Sequence, residues 1–195
     1  IRDSPYNGRT AFTSGFLPPN HQGLEVRSAA AEPITHLRPP EGAKHVTPES
    51  RAEGLALLNS LNTAHAAQHP GDDRLAARIA GYELAARLQG AAPELLDLSR
   101  ETAATKTLYG VDDPATLGFG RNCLLARRMI ERGVRYVQVF CGMGGGSGNW
   151  DNHTDITKEL TPIAKACDTP AAALLVDLKL RGLLDDCLLY TSPSP

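Results

Sequence analysis

The segment between Val134 and His153, which reads VRYVQVFCGMGGGSGNWDNH, limits the possible folds and functions of this chain more than any other part of the sequence. Its first residues, 134–140, form a short apolar run of mostly β-branched and aromatic side chains, which is the composition of a buried strand. A glycine-rich stretch follows at once, and Asp151 comes directly after it. In open α/β sheets, ligands bind just beyond the carboxyl ends of the strands. The segment therefore predicts a core strand that ends in a ligand-binding loop.

Asp151 and His153 offer an oxygen and a nitrogen ligand, two residues apart, on this loop. Both atom types bind divalent cations in proteins, so the pair is predicted to form part of a divalent-metal site. Three or four protein ligands are normally required, which means that the pair cannot be the whole site. The alternative interpretation makes Asp151 a loop cap and His153 a partly exposed polar residue.

The glycines of the loop do not fit a nucleotide-binding motif. A dinucleotide fingerprint needs G-x-G-x-x-G opening directly into a helix, whereas Trp150 and Asp151 interrupt the pattern and no Walker lysine follows. The glycines are instead predicted to let the backbone turn tightly beside a ligand or metal, with Gly144, Gly145 and Gly146 lining the site. Trp150 either forms a wall of the site or anchors the loop in the core.

The composition excludes several classes of protein. With 42% hydrophobic and 22% charged residues the chain is typical of a globular protein, and a net charge of −2 without a basic stripe argues against nucleic acid as a partner. No run of about 18 apolar residues is present, so no membrane span is expected. The sequence has no G-x-S-x-G elbow and no C-x-x-C pair. A local cluster of arginines is predicted to spread around a solvated helix face: Arg127, Arg128, Arg132 and Arg135.

Helical periodicity begins near the middle of the first hundred residues. A first helix is predicted from Pro48, capped by Thr47, to about residues 69–71, and a second from its cap Asp72 to Pro93. Leucines spaced along the first helix are predicted to form an apolar stripe: Leu55, Leu58 and Leu61.

Three further helical segments are predicted, at about 99–108, 113–132 and 155–181. Gly133 and Gly182 should end the second and third of these, because glycine is favoured directly after a helix. Pro162 and Pro170 are predicted to divide the last segment, since each removes a backbone donor. Residues 187–190 should begin another strand.

Several segments resemble one bacterial family, the domain-of-unknown-function 1501 proteins, which belong to the alkaline phosphatase and sulfatase-like superfamily. The resemblance extends from about residue 7 to residue 186. The segments that carry it include SGFLPPNHQG (14–23), RIAGYELAARLQGAAPELLDLSRET (78–102), FGRNCLLARRMIERGVRYVQVF (119–140), WDNH (150–153) and DTPAAALLVDLKLRGLLDD (168–186).

The resemblance implies an α/β fold. The chain would be a fragment of an alkaline phosphatase-like three-layer architecture, mostly helical, with one clear core strand at about 134–141 and an incomplete sheet. Its expected organisation is an extended arm over 1–47, a partial α/β domain over 48–188, and a tail over 189–195. The tail resembles translated sequencing adapter; a genuine Pro/Ser-rich disordered end is the alternative.

The resemblance also implies a function. Members are usually exported, so a periplasmic or exported location is expected. In the superfamily, Asp and His side chains hold divalent metals that polarise sulfate or phosphate ester oxygens, so Asp151 and His153 would be metal ligands. The full-length protein would then hydrolyse a small-molecule sulfate or phosphate ester, which could be on a polysaccharide. The remaining ligands and the nucleophile would lie outside this sequence, and the fragment itself would be inactive.

Two further points bear on the expected site. His21, inside a matching segment, could approach it. Where many members carry Asn-His after the Trp-Asp-x-His motif, this chain has Glu159 and Leu160. The alternative function is a non-catalytic metal-binding or cell-envelope protein of the same fold.

Overall fold

The computed structural model describes residues 14, 15, 17, 23–35, 37, 42, 43, 45–141, 150 and 154–190, with the side chain of Leu88 left aside. None of the helices in this described part is long and apolar enough to cross a lipid bilayer. The regular structure consists of five α-helices and one short 3-10 helix: α1 (Pro48–Gln68), α2 (Asp73–Leu96), the 3-10 helix (Leu98–Arg100), α3 (Ala103–Leu108), α4 (Leu117–Glu131) and α5 (Ile156–Leu180).

The predicted α/β fold is wrong, because the described residues contain helices and no β-strand or sheet. The expected core strand at 134–141 forms no hydrogen-bonded ladder with another strand, and the strand expected at 187–190 forms none either. Val134 is 43% exposed and Tyr136 is 77% exposed, so the segment does not lie in a core. β-propensity measures how well a side chain packs against neighbouring strands. The apolar run has the composition of a strand, but no described residues pair with it as a second strand.

The ends of α1 and α2 follow from their capping residues. The Thr47 side chain accepts a hydrogen bond from the Ser50 backbone, and the Ser50 side chain accepts one from the Thr47 backbone, which forms a capping box in front of Pro48. The Asp72 carboxylate accepts from the first backbone N–H groups of α2, as predicted. The predicted end at Pro93 is wrong, since α2 continues through it to Leu96.

Helices α4 and α5 are each followed by a glycine in a left-handed backbone conformation. Gly133 and Gly182 follow α4 and α5 with φ of 80° and 67°, a conformation that favours glycine. The predicted division of α5 is wrong, because the helix runs unbroken through Pro162 and Pro170. Pro170 is fully buried, and packing of α5 along α4 offsets the lost backbone hydrogen bonds.

The chain divides into two compact units. The second unit, made by the described residues of 14–25 and 34–93, contains α1 and most of α2. The Arg51 guanidinium donates to the Gln89 side chain there. No residue of α1 is buried, and Leu58 and Leu61 are more than half exposed. The predicted apolar stripe of α1 therefore does not form a buried face within this unit.

The first unit, made by the described residues of 26–33 and 94–190, holds the main apolar core. The core lies between α4 and α5, with a buried tyrosine from the end of α3. The Ser28 hydroxyl donates to Asn122 Oδ1 at 2.5 Å and fastens residues 26–33 to α4. The fully or nearly buried members of the core are Tyr109, Cys123, Leu124, Ala173, Leu174 and Leu178.

Gly120 sets how closely α4 approaches the end of α3. A Cβ atom placed there would overlap the Tyr109 carbonyl oxygen, which is backbone and cannot swing away. Thr116, the residue before α4, donates its hydroxyl to the Gly110 carbonyl at 2.5 Å and holds the same junction together. Because the interior is close-packed, even one added methyl group must displace main chain here.

We therefore expect Gly120→Ala to lower the free energy of unfolding by about 1–3 kcal/mol, the usual cost of overpacking a close-packed site. Gly118→Ala is the matched control, since it lies on the same helix with open space around its Cβ position. The control should leave stability unchanged or raise it by up to about 1 kcal/mol, because alanine favours helix more than glycine does. Urea unfolding followed by circular dichroism measures both. Equal effects at the two positions would contradict the close contact.

Candidate functional site

The only described residue of the predicted site is Trp150, which is hydrogen-bonded to Cys141. Its indole N–H donates to the Cys141 carbonyl at 2.9 Å, and its side chain is 37% exposed. Residues 142–149 connect these two positions along the chain. Cys141 and Trp150, the described residues on either side of that segment, are therefore in contact.

The start of α5 fixes where the chain goes after His153. Asp155 caps the helix by accepting from the Lys158 backbone N–H at 3.2 Å, and its carboxylate also pairs with the Lys158 ammonium at 3.2 Å. The hydrogen bond from the Lys158 backbone, followed by that from its side chain, lowers the pKa of Asp155. The first turn of α5 therefore begins at Ile156, three residues after His153 in the sequence, with a capped and charge-paired end.

Glu159 lies on this first turn and has an unusual environment. Its backbone N–H donates to the Asp155 carbonyl at 2.9 Å. One of its carboxylate oxygens, Oε2, is buried and accepts no hydrogen bond from any residue that the structure describes. A buried carboxylate oxygen without a donor or cation is costly, so such groups are normally paired. This oxygen is chemically suited to a cation.

The other residues predicted for the site lie outside the described part of the chain. They are Asp151, His153, Gly144, Gly145, Gly146 and His21. Among the residues that are described, no group of three or more His, Cys, Asp or Glu side chains is placed to hold a metal ion. The described residues nearest to the predicted metal pair in the sequence are Trp150 and Thr154.

A buried ionic network connects α4 and α5 in the first unit. The Arg127 guanidinium donates to Glu101 Oε2 at 2.7 Å and to Glu131 Oε2 at 2.6 Å. Its Nε lies 3.2 Å from Asp177 Oδ2, close enough for an ion pair although it is not aligned for a hydrogen bond. Arg181 then joins Asp177 Oδ1 and Glu131 Oε1, each at 2.7 Å. A single arginine thus contacts three carboxylates.

Arg128, the neighbouring residue, completes the network on the other side. It donates to Glu101 Oε1 at 2.5 Å and to the Glu94 and Leu95 carbonyls at 2.6 and 2.8 Å. Those carbonyls belong to the last turn of α2, where the helix provides no backbone donors. Arg128 therefore serves as a side-chain cap for the end of α2.

The predicted solvated face for the arginine cluster is wrong for its first two members, because Arg127 is 3% and Arg128 is 5% exposed. Three guanidinium groups, on Arg127, Arg128 and Arg181, face three carboxylates, on Glu101, Glu131 and Asp177, so the network is formally neutral. A partial signal was present in the sequence. Arg127 and Glu131, like Asp177 and Arg181, stand at the i, i+4 spacing of helical ion pairs.

The network shifts the pKa values of its members. Burial would raise the pKa of Glu101, but the hydrogen bonds from Arg128 and Arg127 outweigh it and hold the pKa below its usual range. Burial, together with the Asp177 carboxylate that accepts its hydroxyl at 3.0 Å, raises the pKa of Tyr109 well above the usual range. Glu101 is thereby kept ionised and Tyr109 neutral. Both states match a structural role, in which no proton is exchanged.

No disulfide joins the described cysteines, and one of them belongs to the core. Cys123 is 1% exposed, and burial raises its pKa to about 12. Because the thiolate is the reactive form, Cys123 is an inert apolar side chain.

The described residues form a helical structure whose helix α5 begins three residues after an Asp-x-His pair in the sequence. The chain belongs to the family described as "Protein of unknown function (DUF1501)", whose model matches residues 2–192. The family resemblance of the sequence is therefore confirmed. No curated protein and no solved structure matches the chain.

Proposed function

We propose that the complete protein is an exported, metal-dependent hydrolase of a sulfate or phosphate ester, with Asp151 and His153 as metal ligands. The observation that carries this proposal is the buried Glu159 Oε2, which accepts no hydrogen bond from the described residues. It lies one helical turn after Asp155, and Asp155 follows His153 by two residues. A divalent cation beside the Asp-x-His pair would satisfy a carboxylate oxygen of this kind.

The residue types fit the chemistry of such a cation. Asp151 supplies a carboxylate and His153 an imidazole, both of which bind Zn²⁺ and Mn²⁺. A bound divalent ion polarises an ester oxygen and stabilises the negative charge that develops during hydrolysis. The hydrogen bond between Trp150 and the Cys141 carbonyl holds the residue before Asp151 in place, and the Asp155 cap fixes the chain after His153. These two contacts support the proposal because they hold described residues on either side of the pair.

The test measures metal uptake and ester hydrolysis separately. We expect the protein to take up Zn²⁺ or Mn²⁺ in equilibrium dialysis, and Asp151→Ala and His153→Ala to weaken binding by at least about 10- to 100-fold, the loss seen when groups supporting a metal are removed. Asp186→Ala, at an exposed position of the same unit, is the control and should bind as the wild type does. In the complete protein, chelator and Asp151→Ala should each abolish hydrolysis of p-nitrophenyl sulfate or phosphate.

Two results would contradict the proposal in different ways. Metal binding that depends on Asp151 and His153 but brings no turnover by the complete protein would identify a non-catalytic metal-binding protein. The absence of binding at saturating Zn²⁺, Mn²⁺ and Ca²⁺ would remove the metal site itself.

A further inference from the structure

We infer that helix α1 pairs with α1 of a second copy of this chain, in antiparallel orientation, through one exposed row of side chains. The row, which we call the outer row of α1, consists of residues four apart along the helix: Glu53, Leu57, Leu61 and His65. All four are exposed, and Leu57 and Leu61 are 61% and 56% exposed. Single exposed apolar residues are common, whereas adjacent ones rimmed by polar residues indicate a surface for a partner.

The outer row lies on a different side of α1 from the residues that the fold partly covers. The partly covered residues recur with helical spacing and are Arg51, Leu55, Asn62 and Ala66. Arg51 donates to the Gln89 side chain of α2, so the covered side is the one that meets the rest of the second unit. The outer row is therefore accessible to a second molecule.

The outer row is complementary to itself when two copies run antiparallel. If Leu57 of one copy lies beside Leu61 of the other, Glu53 lies beside His65, because each is four residues farther out along its helix. An imidazole N–H can donate to a carboxylate, so a two-fold dimer pairs a donor with an acceptor at both ends of the row. Parallel copies would instead set each glutamate beside its own counterpart. The charge pattern therefore favours an antiparallel pair.

Gly54 is a second observation that points to close approach of another helix. Glycine inside a helix lowers its stability by about 1 kcal/mol relative to alanine. A Cβ atom placed at Gly54 would meet nothing within 4 Å among the described residues, so no contact within the chain requires glycine there. In the antiparallel pair Gly54 falls opposite Ala64 of the second copy, and these small residues let the two helices approach closely. Rows of residues four apart are also the ridges of the commonest class of helix packing.

The experiment is sedimentation equilibrium over a range of protein concentrations. One helix face against its copy is a small interface, so we expect a reversible dimer with a dissociation constant in the micromolar range. The average mass should rise from 20.8 kDa towards twice that value. Leu57→Ala should weaken dimerisation by at least about 10-fold, because it removes apolar burial at both symmetric positions. Leu180→Ala, the same truncation at an exposed leucine of α5, is the matched control and should dimerise as the wild type does.

A charge exchange tests the antiparallel order. Glu53→Lys should weaken dimerisation by about 3- to 10-fold, because the acceptor for His65 is lost at both ends of the row. Adding His65→Glu to this variant should restore the dimer, since lysine and glutamate then face each other across the two copies. Circular dichroism should show wild-type helix content in each variant, because both side chains are exposed.

Three results would overturn the inference. A mass of 20.8 kDa at every concentration would leave the outer row to a different partner or to none. A dimer that Leu57→Ala leaves as tight as the wild type would use another surface. A double variant that dimerises as weakly as Glu53→Lys alone would exclude the antiparallel order.

Discussion

Arg127→Ala should lower the free energy of unfolding by about 3–5 kcal/mol, the cost of removing one partner from a buried ion pair. Arg127 is 3% exposed and contacts Glu101, Glu131 and Asp177. Its removal leaves three carboxylates facing two arginines, and the side chains of Glu101 and Asp177 are at most 10% exposed to water. Urea unfolding followed by circular dichroism at neutral pH measures the change.

Arg100→Ala is the control for this variant. Arg100 pairs with Glu94 at 3.3 Å, but both side chains are more than 60% exposed, so the pair contributes at most about 1 kcal/mol. A double variant of Arg127→Ala with Asp177→Asn should lose less than the sum of the two single losses, because both act on one network. If Arg127→Ala matched the small effect of the control, the network would add nothing to stability.

Leu178→Ala should cost about 2–5 kcal/mol, the range for truncating a buried leucine to alanine. Leu178 has no exposed surface and packs in the cluster formed by Tyr109, Cys123 and Leu124. Both the lost transfer free energy and the cavity left between α4 and α5 contribute to the cost. The measurement is again the midpoint and slope of urea unfolding.

Leu180 on the same helix offers the matched comparison. It is 79% exposed, so Leu180→Ala should change stability by no more than about 0.5 kcal/mol. A similar loss at both positions would mean that the core does not lie on the Leu178 face of α5. Both variants keep the helix propensity high, since leucine and alanine are good helix formers.

The sequence predicted the helices where local chemistry decides their ends. Thr47 and Asp72 cap α1 and α2, and Gly133 and Gly182 follow α4 and α5, as their residue types indicate. These contacts reach only a few residues along the chain, so they are readable without the fold. The prediction that the second helix ends at Pro93 was wrong because a proline inside a helix lowers stability by only a few kcal/mol, which other interactions can offset.

The errors concern features that depend on distant residues. Residues 134–140 have strand-like composition, yet a strand exists only with a hydrogen-bonded partner, and none is present among the described residues. Arg127 and Arg128 were assigned to a solvated face because their charge suggested it. The burial of Arg127 depends on Glu101, 26 residues earlier, and Asp177, 50 residues later, which no local pattern could indicate.

The candidate site was only partly readable. The Asp151 and His153 pair follows from residue type and spacing, and both residues lie outside the described part, so their role stays a prediction. Glu159 was noted only as a departure from the family pattern. Its buried, donor-free oxygen is a property of the folded helix, and no feature of the sequence could have indicated it.

Trp150 is an intrinsic fluorescence probe of this protein. It is the single tryptophan of the chain, and its indole is tied to the Cys141 carbonyl. Intrinsic fluorescence excited at the tryptophan band therefore arises from one place, adjacent in sequence to Asp151. Occupation of that neighbourhood can be followed without a label, while far-ultraviolet dichroism follows the helices independently. Titrations of ligand and of denaturant can thus be distinguished in the same sample.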